Sequence, residues 1–246
     1  SLCYAIRDFS RIQVKQNAIE LLERELSRKR VRGVIGTGSM NDPYMPVEKT
    51  YEQTGRALDL IGSWRFSVHV ITKSSLVLRD VERLQRISRV FAAVTFTVTT
   101  ADDELAGLLE PGASKPSARY HAMTELSRAG ILTGLALMPV LPFLEDSKEN
   151  LDAVLQRAAD AGASYVIPAV GVTMRDRQRD YFYEKLDEHF LGLRERYERS
   201  FGDRMYCAPE KAAALDDFIR ERCTQLGLAA RFPAPVEPAV HQPALF

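Results

Sequence analysis

Cysteine is scarce: Cys3, Cys207 and Cys223 are the only three in 246 residues, too widely spaced for a disulfide framework or a zinc-binding set. A reducing, cytoplasmic setting is the simplest expectation. An excess of charge of either sign is also lacking, because 33 Lys and Arg balance 33 Asp and Glu. That balance argues against bulk attraction to nucleic acid or membranes and leaves room only for a local basic strip. No apolar run approaches the roughly 18 residues that a membrane span needs. The start, SLCYAIRDF, has neither an initiator Met nor a signal-peptide h-region and reads as the cut edge of a longer protein. Phosphate cradles are missing too. In VIGTGSMNDPYMP, Val34 to Pro46, Gly36 and Gly38 match a dinucleotide fingerprint, but Asn41 stands where a third glycine belongs and no Walker lysine follows.

What is present is an ordinary globular composition, 46% hydrophobic and 27% charged, in which two kinds of pattern alternate. Helical spacing covers Asn17–Arg28 (with Asn17 a candidate N-cap), 47–64, 75–88, 102–112, 117–129 and 147–161. On the 75–88 helix, Leu76, Leu78, Val81, Leu84 and Ile87 form the expected buried side. Apolar, strand-like runs lie at 31–35, 67–73, 91–99, 131–140 and 164–171. Strands apolar throughout, each followed by a helix at a period of about 30 residues, predict a parallel sheet covered by helices. An open doubly wound sheet and a full or partial barrel both satisfy this pattern, and in both a ligand sits at the carboxyl ends of the strands. After Gly171 three further helices are expected, over 175–186, 189–201 and 210–226. One domain over 1–228 with a helical cap, followed by a Pro-rich tail over 229–246 without fixed structure, fits this order.

The strand ends are polar. The second finishes in Thr72-Lys73-Ser74-Ser75. The third carries Thr95, Thr97 and Thr99, which alternation places on one face. A hydroxyl within an apolar strand is costly unless it is hydrogen-bonded, although threonine also favours strands, so each residue alone is unremarkable. Together with Lys73 they predict a polar pocket. Lys73 reads equally as a strand-capping surface lysine, a cation for a ligand carboxylate, or a Schiff-base amine. His69, His121 and His189 lack metal-ligand spacing and suit structural or solvated roles. Tyr181, Phe182 and Tyr183, near Arg175, Arg177 and Arg179, could stack on bases and touch phosphates, but a solvated amphipathic helix is the simpler account.

The order and spacing of several stretches resemble the spore photoproduct lyase-like branch of the radical S-adenosylmethionine (SAM) enzymes. They are CYAIRDF and VKQNAIELLEREL, then GTGSMNDPYMPVEK, ITKSSLVLRD, TFTVTTADDELAGLLEPGA, GLALMPVLPF and TMRDRQRDYFYEKL, together spanning about Cys3 to Leu228. The resemblance implies a partial (β/α)6 barrel with parallel strands, the first strand missing here, and a helical C-terminal extension. It implies S-adenosylmethionine bound against a [4Fe–4S] cluster held by a CxxxCxxC loop, which would lie just upstream of Ser1. Cys3 resembles an extra cysteine downstream of that loop. The amine of the methionine moiety would meet Thr37, Gly38 and Ser39 with Asn41 and Asp42. Its carboxylate would meet Lys73, the ribose side Thr97 and Thr99, and the adenine Met138.

A flavodoxin or ferredoxin is the implied electron donor, and the implied product of cofactor cleavage is a 5′-deoxyadenosyl radical acting on an unknown substrate, for which a nucleic-acid-related molecule is a candidate that the net charge does not support. Spore photoproduct lyase proper keeps a hydrogen-donating cysteine at the strand end aligned with Thr37–Ser39. None stands here, so thymine-dimer repair by the same relay is not expected. The chain by itself, without the cluster loop, is expected to be inactive. Two other readings follow from the residues alone: a metal-free barrel lyase using Lys73 as a Schiff-base amine, and a non-catalytic nucleic-acid-binding barrel using Arg175 to Arg179.

Overall fold

In the computed structural model, residues 12–38, 41–175 and 177–233 are described. Strands β1 (Val34–Thr37), β2 (Ser67–Thr72), β3 (Ala92–Thr97), β4 (Leu132–Val140) and β5 (Tyr165–Val170) form one parallel sheet in the order β1-β2-β3-β4-β5. Spatial order therefore follows chain order. A doubly wound sheet reverses its direction of growth at a switch point, whereas a barrel wall does not. The partial barrel is the observed alternative.

Helices fill the connections: α1 (Ala18–Arg28), α2 (Glu48–Tyr51), α3 (Gln53–Ser63), α4 (Val81–Ser88), α5 (Asp103–Leu109), α6 (Pro116–Arg128) and α7 (Lys148–Asp160). Strand alternation decides what they cover. Val68, Val70, Val94, Phe96, Leu135 and Leu137 are fully buried in a core that includes Leu84 and Ile87 of α4, Met123 and Leu126 of α6, and Leu151, Val154 and Leu155 of α7. Each such side chain stabilises the fold by roughly 1.5–3 kcal/mol. The opposite face of the strands carries a polar set. The Thr95 hydroxyl lies 2.6 Å from His69 Nε2 and 2.6 Å from the Tyr165 hydroxyl. Burial pushes the His69 imidazole down to about 4, so the ring is neutral at pH 7. A Cβ on Gly134 would come within 2.3 Å of the Tyr165 ring, which leaves only glycine at that position.

Four departures from the sequence pattern have local causes. Val31 is 81% exposed, and pairing starts only at Val34, opposite Ser67. The helix expected over 47–64 is split between α2 and α3 by Glu52, whose φ is 49°. Residues Ser75–Asp80 form a 3₁₀ segment, whose three-residue turn buries Val77 and Asp80 and leaves Leu76 and Leu78 only partly covered. Asn17 stands at the N-cap of α1 without a side-chain capping bond.

Beyond β5, a two-residue ribbon pairs β6 (Val172–Thr173) with β7 (Tyr206–Cys207), too short to leave a sequence pattern. α8 (Arg177–His189) and α9 (Leu193–Phe201) share a second core of Met174, Tyr183, Leu186, Tyr197, Phe201 and Cys207. α10 (Ala212–Gln225) packs back on the barrel through Leu215, Ile219 and Cys223. The tail differs from expectation at its start. Ala229 bridges Tyr165 on the β5 edge, and Phe232 stacks on His69 at 4.1 Å. An aromatic side chain finds an apolar seat there despite the Pro-rich composition; residues 234–246 lie outside the described part. Among the described residues, no helix is long and apolar enough to cross a membrane.

Candidate functional site

The carboxyl end of the barrel is assembled by side chains that tie one quoted stretch to the next. Asp42, on the loop after β1, accepts from the Tyr44 N–H (2.8 Å) and the Thr72 hydroxyl (2.6 Å) with one oxygen, and from the Lys73 N–H (2.6 Å) with the other. Tyr44 donates to Asp80 at 3.0 Å, and Arg79 bridges Asp80 (3.0 Å) and Glu48 (2.8 Å). The loop after β1 is thus bound at several points to the end of β2 and the segment that follows it. Gly38 makes this approach feasible: its φ is 91°, and a Cβ there would lie 2.0 Å from the Ile71 carbonyl oxygen.

Lys73 leaves β2 between two cavities and lines both. Its ammonium contacts Glu110, which also accepts from Arg119 at 2.6 Å. Burial works against ionisation of Glu110, but the Lys73 and Arg119 cations outweigh it and hold the carboxyl below its ordinary range. Arg119 is 1% exposed and donates as well to the carbonyls of Thr97 (2.7 Å) and Ser114 (2.6 Å). It therefore fixes the end of β3 and the 110–114 loop together. Ser114 completes the join by donating its N–H to the Lys73 carbonyl at 3.1 Å.

A second acidic group stands at the mouth. The Glu145 carboxylate accepts from the Thr99 hydroxyl at 2.5 Å and from the Leu141 N–H at 3.0 Å. It is only 2% exposed, and burial pushes it up to about 7, although both hydrogen bonds favour the charged form. Glu145, Thr99 and Lys73 face a cavity of about 500 Å³ closed from the other side by Tyr181, Phe182 and His189 of α8. A raised carboxyl means that the folded state holds a proton the unfolded chain has lost between pH 4.5 and about 7, so stability falls as pH rises through that window. Glu145→Gln is expected to remove this part of the pH dependence and to exceed the parent in stability at pH 8 by about 3 kcal/mol. Urea denaturation at pH 5 and pH 8 measures the difference, and parallel curves for the two proteins would refute it.

The structure gathers some of the expected residues and disperses others. Lys73, Thr97 and Thr99 lie at the carboxyl end, and Met138 is half-buried where the β4–β5 register shifts between Leu137 and Val140. Thr37 pairs in register with Val70, and its side chain lies against α1 and α3, with its hydroxyl buried and unpartnered, so only its backbone belongs to the mouth. Asn41 is exposed, while Asp42 is committed to the loop. Ser39 and Cys3 lie outside the described residues. Of the residues read as a basic and aromatic strip, Arg179 donates to the carbonyls of Gly202 and Arg204 and Tyr183 turns into the second core, whereas Arg175 and Tyr181 are exposed.

Glu110, Arg119 and Glu145 were not marked by sequence reasoning. Arg119 could have been, since it falls on the buried stripe with Ala122, Met123 and Leu126 of α6. Among the described residues, no three His, Cys, Asp or Glu side chains stand close enough together to hold a metal ion.

Strand order that follows chain order and a polar carboxyl end that includes Lys73 together define a partial parallel (β/α) barrel with a candidate ligand site. No family model matches the sequence. In sequence, the chain is 28% identical over 232 residues to an uncharacterized protein of Mycobacterium tuberculosis, covering 94% of this chain and 67% of that protein. It is 23% identical over 231 residues to a radical SAM Nα-GlyT isomerase of Pseudomonas phage M6, covering 94% of this chain and 43% of the phage protein. In structure, it is similar to a spore photoproduct lyase variant with bound AdoMet and dinucleoside spore photoproduct, at a TM-score of 0.66 and 15% identity. That match covers 87% of this chain and 65% of the lyase chain. The chain thus has the fold of the radical SAM enzymes of the spore photoproduct lyase type and spans less than two thirds of the solved lyase chain's length.

Proposed function

We propose that the whole protein is a radical SAM enzyme and that this chain provides the S-adenosylmethionine-binding end of its barrel. The observation that carries this reading is Lys73, a strand-end cation on the shared wall of two cavities, set beside Glu110, which the buried Arg119 anchors. A carboxylate of the cofactor would pair with Lys73. Its ammonium would meet Asn41 and the open backbone at Gly38, its ribose the Thr97 and Thr99 hydroxyls, and its adenine Met138. Asp42 contributes by holding the loop.

The described residues do not fit ligation of a [4Fe–4S] cluster, so its cysteines would come from elsewhere in the whole protein. Bound there beside such a cluster, S-adenosylmethionine would supply radical hydrogen-abstraction chemistry. The chain's own part is to orient the cofactor and exclude water from the mouth, with Thr99 and Glu145 facing the cavity where a substrate would enter. An electron donor of the flavodoxin or ferredoxin kind would be the partner. Equilibrium dialysis of the full-length, anaerobically reconstituted protein against labelled S-adenosylmethionine tests the reading. Saturable binding that S-adenosylhomocysteine displaces is expected; no binding would refute it.

A further inference from the structure

Among the described residues, Glu48, Asp80 and Glu145 are the buried acidic side chains. Two of them have a cation: Arg79 and Arg83 reach Asp80, and Arg79 also reaches Glu48. Glu145, 2% exposed, has none among the described residues. Its oxygens accept one hydrogen bond each, from the Thr99 hydroxyl (2.5 Å) and the Leu141 N–H (3.0 Å), and both bonds suit a carboxylate. The charged groups around it are already paired. Lys73, at the end of β2, contacts Glu110, which Arg119 also holds. On α8, Lys185 pairs with Glu188, and His189 faces Glu188 as well. Asp146, next in the chain, feels Arg196 of α9. At Glu145 itself the pull of Lys73 is opposed by the push of Glu110.

A buried carboxylate is costly without a counter-charge, and this one faces the cavity of about 500 Å³ that also presents Lys73 and Thr99. A ligand can bring the missing cation, and the walls decide its kind. Leu109, Pro139, Leu141, Phe182, Leu186 and Phe190 line the cavity. An ammonium needs several hydrogen-bond acceptors. Here each Glu145 oxygen already accepts one bond, while Glu110 and Glu188 are committed to their own cations. A sulfonium carries no N–H or O–H. It asks only for negative charge and apolar or aromatic contact, and the cavity offers both.

We propose that Glu145 is the counter-charge for the sulfonium of S-adenosylmethionine and so distinguishes this ligand from its uncharged thioether, S-adenosylhomocysteine. The assignment rests on the function proposed above. In the ligand's covalent order the sulfonium lies between the carboxylate end assigned to Lys73 and the ribose assigned to Thr99, whose hydroxyl is bound to Glu145. Burial pushes Glu145 up to about 7, and a cation brought beside it favours the charged form. Preference for the sulfonium therefore grows as pH rises through that value.

Calorimetric titration of the full-length, anaerobically reconstituted protein with each ligand, at about pH 6 and about pH 8 on either side of that titration, tests this. Between those pH values, preference for S-adenosylmethionine over S-adenosylhomocysteine is expected to rise at least about threefold more in the parent than in Glu145→Gln. The ligands' own titrations are common to both proteins and cancel in the comparison. Glu145→Asp keeps the charge and should retain part of the effect. A merely structural role would not combine the expected gain in stability of Glu145→Gln with a loss of discrimination. Equal changes of preference in parent and Glu145→Gln, with both ligands bound, would overturn this assignment while the cofactor-binding role stands. Binding of neither ligand would overturn both. Sinefungin carries an ammonium in place of the sulfonium; a larger Glu145-dependent gain for it than for S-adenosylmethionine would assign Glu145 to an ammonium and overturn the sulfonium.

Discussion

Asp80→Ala is expected to cost about 3–5 kcal/mol of stability, because it removes the acceptor at the centre of a buried ionic network. Asp80 is fully buried and receives Arg83 (2.6 Å), Arg79 (3.0 Å) and the Tyr44 hydroxyl (3.0 Å). Burial, with the Asp80 charge beside it, holds the Tyr44 phenol far above its ordinary range, so its proton stays available to donate. Without the carboxylate, Tyr44 and two guanidinium groups face one another with only Glu48 and Asp59 as counter-charges. Asp80→Asn keeps the shape and an acceptor and should lose less. Urea denaturation at pH 7 reads both, and a loss under about 1 kcal/mol for Asp80→Ala would mean that the network is not structural. The same network positions the loop carrying Asp42, so ligand binding at the mouth should weaken along with stability.

Lys73→Ala should leave the fold nearly untouched and weaken S-adenosylmethionine binding by on the order of 10²-fold. Truncating one partner of a desolvated charge pair costs about 2–5 kcal/mol, and each 1.4 kcal/mol is a factor of ten. The fold is spared because the Lys73 side chain is 39% exposed and Glu110 keeps Arg119 as its other cation. Lys73→Arg should restore part of the affinity, since charge returns but the guanidinium reaches the anion from a different distance. Calorimetric titration with the ligand, beside thermal melts of both variants, separates these effects. Equal affinity in parent and Lys73→Ala would remove the residue from the site.

The features legible beforehand were those with a repeat. The five strands showed as apolar runs, with β2, β3 and β4 covered on both faces along most of their length, and the hydroxyls of Thr95, Thr97 and Thr99 could be placed on one face by alternation alone. Lys73 stood out as a cation at the end of an apolar strand. The barrel itself was not decided by periodicity, since strand order is a property of pairing and both architectures share the same local pattern. Glu145 escaped because its significance comes from burial beside Thr99, a residue 46 positions away. Asp42 was read as a ligand contact because its type suited an ammonium group, whereas its oxygens bind Thr72 and the Lys73 backbone.

The proposed role of this barrel end in radical S-adenosylmethionine chemistry is tested most directly by chromatographic assay of 5′-deoxyadenosine after dithionite reduction of the anaerobically reconstituted full-length protein with S-adenosylmethionine. The parent protein is expected to yield 5′-deoxyadenosine, and Lys73→Ala on the order of 10²-fold less at subsaturating S-adenosylmethionine. No 5′-deoxyadenosine from a parent protein with its iron–sulfur cluster in place, or equal yields from both proteins, would contradict it.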